Sequence, residues 1–262
     1  MKKTIIVTGA SSGIGRALAE HFALLKHNVI AVARNKKALE ELEKLHPSNI
    51  KNVVADILDK DNQLKIKNAL HPKEVGVYLI HNAGIAIPHL FSDLSEEEWD
   101  QHYLVNMKAP VFLTKLLLPH LKNGGRILSI SSGLAHTPMA ALSAYGLSKA
   151  ALYMFKEYCN VELRNQGIHF ASAMPGVVDT PIQAHMRSYD SEKFPGVDVF
   201  REFLERGELL QPMTAAKFLS WLLLEVDNEK FTKGDWDIYD VSHHHFWAES
   251  GEVKARKIKK KK

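Results

Sequence analysis

Short apolar, β-branched runs recur along the chain at residues 3–8, 28–33, 50–55, 76–81, 125–130, 168–174 and 235–239, each of strand length. Between the first six, apolar residues return at helical spacing near 14–26, 36–45, 60–70, 96–121 and 143–165. The fourth of these helices opens with Ser95-Glu96-Glu97-Glu98, a side-chain cap followed by acids that suit a helix N-terminus. Strands alternating with helices predict an α/β fold: a parallel sheet covered on both faces, with ligands bound outside the carboxyl ends of the strands. At 262 residues and 45% hydrophobic content the chain is long enough to bury a full core, and one domain over residues 1–250 is expected.

The first strand runs into TGASSGIG, in which Gly9, Gly13 and Gly15 form a G-x-x-x-G-x-G turn before a helix. Glycines there let backbone N–H groups approach a pyrophosphate, and the helix offers it the positive end of its dipole. The second strand ends in VIAVARN. An enzyme that reads the ribose 2′-OH needs an acid at that end. Here Ala33 stands in its place and Arg34 follows, a guanidinium suited to a 2′-phosphate, so NADP(H) is favoured over NAD(H).

A reactive set lies within residues 131–149. Tyr145 and Lys149 are four apart in a stretch without helix breakers, which puts both side chains on one helical face. A phenol has an ordinary pKa of about 10, and a neighbouring ammonium is expected to lower it towards neutrality. Ser132, just after GRILSIS, can donate a hydrogen bond to an oxygen on which charge develops. It lacks the G-x-S-x-G elbow and an evident histidine base, so carbonyl polarisation suits it better than nucleophilic attack.

TGASSGIG, HNAG at 81–84, Asn106, Ser132, Tyr145-x-x-x-Lys149 and PGVVDT at 175–180 together resemble the short-chain dehydrogenase/reductase family, over residues 4 to about 240. The resemblance implies a single-domain Rossmann-type doubly wound sheet of about seven strands, order 3-2-1-4-5-6-7, and an NAD(P)-dependent oxidoreductase. It implies that Tyr145 donates and accepts the proton, that Lys149 holds the nicotinamide ribose and tunes Tyr145, that Ser132 orients the substrate carbonyl, and that Asn106 sustains a water-linked relay to Lys149. Cofactor contacts are implied for Gly9, Ser11, Ser12, Gly13, Ile14 and Gly15, for Asn82, Ala83 and Gly84, for Pro175, Gly176, Val178 and Thr180, and for Tyr145 and Lys149. Asp56 would meet the adenine amino group by the same resemblance; read from its own position it is equally a turn or cap aspartate. His81 departs from the family, which usually has Asn there. The equivalents of helices 96–121 and 143–165 form a dimer contact in the family, so a homodimer or homotetramer is expected.

PGVVDTPIQ and GDWDIYD are similar to the sepiapterin reductase and benzil reductase branch, and the likeness to sepiapterin reductases implies that Asp237 stands where a pterin amino group would be anchored. Between Pro175 and Pro212, Met186, Tyr189, Phe194, Phe200 and Phe203 suit either an apolar lid over the nicotinamide or helices capping the core. The expected activity is NADPH-dependent reduction of an apolar ketone or diketone, with a pterin as the alternative substrate. The readings from other classes are a catalytically silent NADPH-binding regulator and a tail-mediated adaptor.

Charge and special residues change little. Residues 252–262 hold seven Lys or Arg and one Glu, a local charge of +6 against +4 for the chain, so residues 1–251 carry −2. The tail at 251–262 reads as solvated and disordered, and a body that is not basic argues against nucleic-acid binding. No apolar run is long enough to span a membrane, and MKK leads straight into a strand, so a cytoplasmic protein is expected. Cys159 stands alone and reads as helix packing. The consecutive His243, His244 and His245 cannot converge on one ion, and no metal is expected.

Overall fold

Seven strands pair in parallel in the order β3-β2-β1-β4-β5-β6-β7: β1 Thr4–Thr8, β2 Asn28–Ala33, β3 Ile50–Val54, β4 Tyr78–His81, β5 Gly125–Ile130, β6 Ile168–Met174 and β7 Asp235–Asp237. The chain is seen in a computed structural model that describes residues 2–253. The central strands are buried on both faces, which is why Ile5, Ile6 and Val7 run without a polar alternate. Val7 pairs with Ala31 on one side and Ile80 on the other, so the register brings the ends of β1, β2 and β4 to one edge.

Helices α1 (Gly13–Leu24), α2 (Lys36–Leu45) and α9 (Pro212–Leu224) cover one face, with Leu18, Phe22, Leu39, Phe218 and Leu222 in its core. Helices α3 (Lys60–Asn68), α5 (Ala109–Leu121) and α6 (Ser143–Leu163) cover the other through Ile66, Leu113, Leu117 and Phe155. Cys159 is part of this second core, and burial pushes its thiol up to about 12, in keeping with packing. The single-domain Rossmann-type sheet has the strand order implied by the resemblance.

The helix expected over 96–121 is not continuous. It comprises α4 (Glu96–Tyr103), a π turn over Leu104–Lys108, and α5. Its start is as read: Ser95 Oγ accepts from the Glu98 N–H and Glu98 Oε2 from the Ser95 N–H, a reciprocal cap. The interruption follows from Pro110, which has no N–H for the carbonyl of Asn106 and would clash with it in an α turn; one wider turn relieves both.

Helix α9 was not legible as a helix, because Phe218 to Leu223 are all buried and no polar face marks its period. The segment after β6 resolves into α7 (Pro181–Arg187) and α8 (Val197–Glu205), and its apolar residues divide. Phe194 and Met186 pack with Ala86, Leu142 and Val197 in a third small core, while Phe200 and Phe203 line the cleft, as does Met186. A short helix α10, Asn228–Phe231, precedes β7.

Strand β7 ends two residues earlier than expected, where Asp237 Oδ1 takes the Tyr239 N–H at 3.0 Å and turns the chain. A 3-10 segment over Val241–Phe246 then packs His243 against both Trp221 and Phe218, with ring centroids 5.2 and 5.3 Å away. The His243 ring donates through Nε2 to the Asp237 carbonyl and accepts the Trp247 indole N–H at 2.8 Å, so its histidine chemistry is spent on packing. Within the tail expected from 251, Glu252 accepts from Thr214 Oγ1 and Lys217 Nζ, and Val253 is buried. The remaining residues of that tail, 254–262, lie outside the described residues.

Candidate active site

A cleft of about 2320 Å³ runs along the carboxyl edge of the sheet. Its first half is built around Thr8, the last residue of β1. Thr8 Oγ1 donates to the Ile80 carbonyl and accepts the N–H groups of Asn82 and Ala83 at 3.0 and 3.1 Å, while Asn82 Nδ2 donates to Thr8 O at 2.8 Å and Gly9 O at 3.3 Å. The HNAG segment is thereby tied to the glycine loop. Gly9 has φ +70°, and a Cβ on it would lie 2.8 Å from Asn82 Nδ2 and 2.9 Å from Ala83 Cα. A Cβ on Gly15 would fall on Gly9 O and Asn82 Nδ2, so both positions close to any side chain. The Ser12 side chain makes no cap at α1, which leaves its N-terminal N–H groups turned to the cleft for an anion. This close-packed cradle fits a dinucleotide pyrophosphate.

Ser11, Ser12, Gly13, Ile14, Asn82, Ala83 and Gly84 line the cleft, as do Gly9, Pro175, Gly176, Val178 and Thr180; Gly15 lies behind it as the packing point of α1. The 175–180 segment is held by Val177 N–H to Tyr239 OH and Leu210 N–H to Val177 O, and Thr180 Cγ2 lies 3.0 Å from where a Gly13 Cβ would be. Arg34 and Asp56 also line the cleft, with Arg34 Nη1 4.0 Å from Asp56 Oδ2. Asp56 Oδ1 accepts the Leu58 N–H at 2.9 Å, so it is a turn aspartate whose other oxygen faces Arg34. The Arg34 side chain is 78% exposed and free to turn towards a phosphate.

The second half of the cleft brings Ser132, Tyr145 and Lys149 together. Ser132 hydrogen-bonds the Tyr145 phenol and also accepts the Leu134 N–H. Lys149 Nζ donates to the Ile130 carbonyl at 2.7 Å, a bond that fixes the ammonium at the end of β5. One expectation is overturned. Tyr145 is pushed above its ordinary 10, because burial of the phenol outweighs the Ser132 hydrogen bond; Lys149 lies over the ring, 5.8 Å from its centroid, and does not lower it. Burial instead brings Lys149 down to about 8.

Asn106 sits behind the cleft, in the π turn. Its Oδ1 accepts the Ile85 N–H, and its Nδ2 donates to Ile85 O and to Ser148 Oγ at 3.0 Å. The side chain is thus spent on the strand-end loop and α6, so any relay through Asn106 must use its main-chain carbonyl, the one deprived of an α-helical donor by Pro110. Gly84 makes room: a Cβ there would be 3.1 Å from Asn106 Oδ1 and 3.7 Å from Lys149 Nζ. His81 is buried, hydrogen-bonds Thr114 Oγ1 at 2.8 Å, and is driven down to about 3 by burial and by Lys149, so it is neutral. Thr8 and Ser148 were not singled out from the sequence. Thr8 adjoins the glycine motif and could have been; Ser148 has no local signal.

A glycine-cradled parallel sheet with a Tyr-x-x-x-Lys helix at its carboxyl edge defines an NAD(P)-dependent oxidoreductase. The chain belongs to the short chain dehydrogenase family, which matches residues 3–191. It is similar to the benzil reductase ((S)-benzoin forming) of Bacillus subtilis (strain 168), 31% identical over 243 residues that cover 90% of this chain and 97% of that protein. Among solved structures it resembles a short-chain dehydrogenase/reductase of Saccharomyces cerevisiae, with TM-score 0.86 and 27% identity over 94% of this chain and 99% of that one. It also resembles the KRED1-Pglu enzyme, with TM-score 0.82 and 29% identity over 88% and 98%.

Proposed function

We propose that the protein uses NADPH to reduce an apolar ketone or 1,2-diketone to the alcohol. The observation that carries this reading is the meeting of Ser132, Tyr145 and Lys149 in the cleft beside an apolar cluster in which Leu134, Met139, Met186 and Phe200 pack with Tyr145. NADPH held in the cleft would supply the hydride for the carbonyl carbon. Tyr145 gives its proton to the carbonyl oxygen; burial keeps the phenol protonated until then, and the Ser132 hydrogen bond offsets part of that shift. Ser132 donates to the same oxygen and aligns it with Tyr145. The phenolate left behind keeps the Ser132 hydrogen bond, which favours it, and regains its proton from solvent.

The cradle at Gly9, Ser12 and Gly13 would hold the pyrophosphate, and Arg34 the 2′-phosphate, since no acid at position 33 competes for the 2′-OH. The likeness to benzil reductase supports a bulky diketone. A pterin substrate has less support, because one oxygen of Asp237 is already taken by the Tyr239 N–H. The protein is further proposed to assemble as a homo-oligomer through α5 and α6, on which Phe112, Met154, Tyr158 and Val161 are exposed.

The test is a screen of NADPH oxidation against aromatic 1,2-diketones, sepiapterin, quinones and ketosteroids, run with wild type and Tyr145→Phe. The wild type is expected to prefer the diketones, and Tyr145→Phe to lose about 10²–10⁴ in kcat, the worth of a positioned general acid. Preference for sepiapterin overturns the substrate assignment, and Tyr145→Phe activity within about tenfold of wild type overturns the mechanism.

A further inference from the structure

Asp235, the first residue of β7, is buried at the carboxyl edge with its side chain 5% exposed. Its Oδ2 accepts two hydrogen bonds, from Ser131 Oγ at 2.7 Å and from His136 Nε2 at 2.8 Å. Its Oδ1 is buried with no protein donor among the described residues. A carboxylate in such a place is costly to desolvate, and an apolar side chain would close the sheet edge at less cost. What the carboxylate gains is its two donors. They flank Ser132 in the chain: Ser131 on one side, and His136 just past the 3-10 turn Gly133–Ala135.

The same loop is braced from a third direction. The His136 ring meets Tyr153 of α6 edge-on, with centroids 5.2 Å apart, and Lys156 Nζ lies 4.6 Å from the opposing Tyr153 ring centroid. Lys156 is itself anchored to the Gly234 carbonyl at 2.9 Å, next to Asp235. The loop carrying Ser132, the strand carrying Asp235 and the helix carrying Tyr145 and Lys149 are therefore joined through one buried carboxylate and one imidazole.

We propose that Asp235 is a positioning residue for carbonyl reduction: through Ser131 and His136 it clamps both ends of the loop that holds the Ser132 hydroxyl against Tyr145. The proposal rests on the Ser132, Tyr145 and Lys149 reading above. A charge effect accompanies the clamp. The titratable groups facing Lys149 are Asp235 from β7, His81 from β4 and Tyr145 on its own helix. His81 is neutral, and Asp235 is the group that restores proton affinity to the buried ammonium. Those facing Asp235 are His136, Lys149 and Tyr153.

The experiment compares wild type, Asp235→Asn, His136→Gln and Tyr145→Phe. Asp235→Asn keeps the shape and removes the charge. In cofactor-free protein its amides over residues 131–137 are expected to exchange with deuterium faster by about threefold or more, because a neutral amide oxygen accepts from Ser131 and His136 more weakly than the carboxylate does. Its kcat is expected to fall about tenfold or more with KM for NADPH within about threefold. The alkaline limb of its kcat/KM profile is expected to move down by about half a pH unit, because Lys149 loses the anion that favours its charged form; an aspartate that only packs would not move it. His136→Gln, at a 43% exposed side chain, is expected to lower kcat about threefold or more and leave the limb in place. Asp235→Asn with kcat within about twofold of wild type and an unmoved limb overturns the proposal. If Asp235→Asn does not fold, His136→Gln decides, and an unchanged kcat overturns it. Tyr145→Phe separates the two layers: if it stays active, the reading of the site falls, whereas an inactive Tyr145→Phe beside an unimpaired Asp235→Asn removes this inference alone.

Discussion

Gly15→Ala sets two known magnitudes against each other. Gly15 is the third residue of α1, and alanine within a helix ordinarily gains about 1 kcal/mol over glycine. Here the new Cβ would land on Gly9 O and Asn82 Nδ2. Neither can step aside cheaply. Gly9 is already pressed against Asn82 and Ala83, and Asn82 Nδ2 is held by Thr8 O at 2.8 Å and Gly9 O at 3.3 Å. Overpacking costs about 1–3 kcal/mol, and loosening the two Asn82 bonds adds about 0.5–1.5 kcal/mol each. The clash wins, with a net loss of about 1–5 kcal/mol and a Tm lower by about 2–20 °C for a chain of this size. Because the displaced atoms shape the pyrophosphate cradle, the Kd for NADPH is expected to rise about tenfold or more. Urea unfolding measures the first quantity and fluorescence titration with NADPH the second. Gly133→Ala is the control, since a Cβ there meets nothing within 4 Å, and its stability should stay within about 0.5 kcal/mol of wild type. A Gly15→Ala protein as stable as wild type, or a destabilised one with unaltered NADPH affinity, refutes the reasoning.

Arg34→Ala is expected to weaken NADPH binding by about 1–3 kcal/mol and leave NADH binding little changed, measured by paired titrations; equal losses for both would remove Arg34 from the phosphate. Reduction needs its acids protonated, and Lys149, at about 8, is the first to lose its proton on raising pH while Tyr145 holds on above 10. The kcat/KM profile should therefore be level on the acid side of about pH 8 and decline beyond it, and a level profile up to about pH 10 would exclude Lys149 from the rate. Val161→Glu on the exposed face of α6 should lower the mass measured by light scattering from an oligomer to a smaller species, and a wild type already monomeric would end the oligomer proposal.

The parts of the fold that were legible in the sequence are those in which one local pattern has one physical solution. Runs such as TIIVT and GRILSI are too short for helices and too apolar for an exposed edge, and each is a buried parallel strand. The missed elements are those in which tertiary burial erased the local signal. Helix α9 has no polar face because it packs against α1 and the sheet on one side and the 3-10 segment on the other, leaving Phe218 to Leu223 without solvent to mark a period. The π turn did have a signal, Pro110, whose lack of an N–H forbids the continuous helix that the apolar spacing suggested. The direction of the Tyr145 shift was misread for a similar reason: four-residue spacing brings Lys149 near the phenol, but it says nothing of how deeply that phenol is buried.

The candidate site divides in the same way. Its motif residues Gly9, Asn82 and Ser132 lie at strand ends that the alternation of elements brings to one edge, and Tyr145 and Lys149 reach the same cleft from helix α6. Asp235 lies within GDWDIYD and His136 within the stretch after Ser132, but nothing local announces their contact, which spans 99 positions and exists only when β7 pairs with β6. The Asp-Trp-Asp of β7 nonetheless carries readable information once it is taken as a strand. Alternate residues face opposite ways, so Asp235 and Asp237 share one side while Trp236 turns to the other, where its ring meets Trp221 of α9 at 5.6 Å. Two carboxylates on one face of a sheet-edge strand, at the carboxyl side where ligands bind, need donors from the loops around them. Asp235 finds Ser131 and His136, and Asp237 finds the Tyr239 N–H. The closing strand thus adds a side-chain hold on the loop that carries Ser132 to the main-chain one from β6, where the Ser131 N–H donates to Ala173 O, and the same short stretch turns the chain at Asp237.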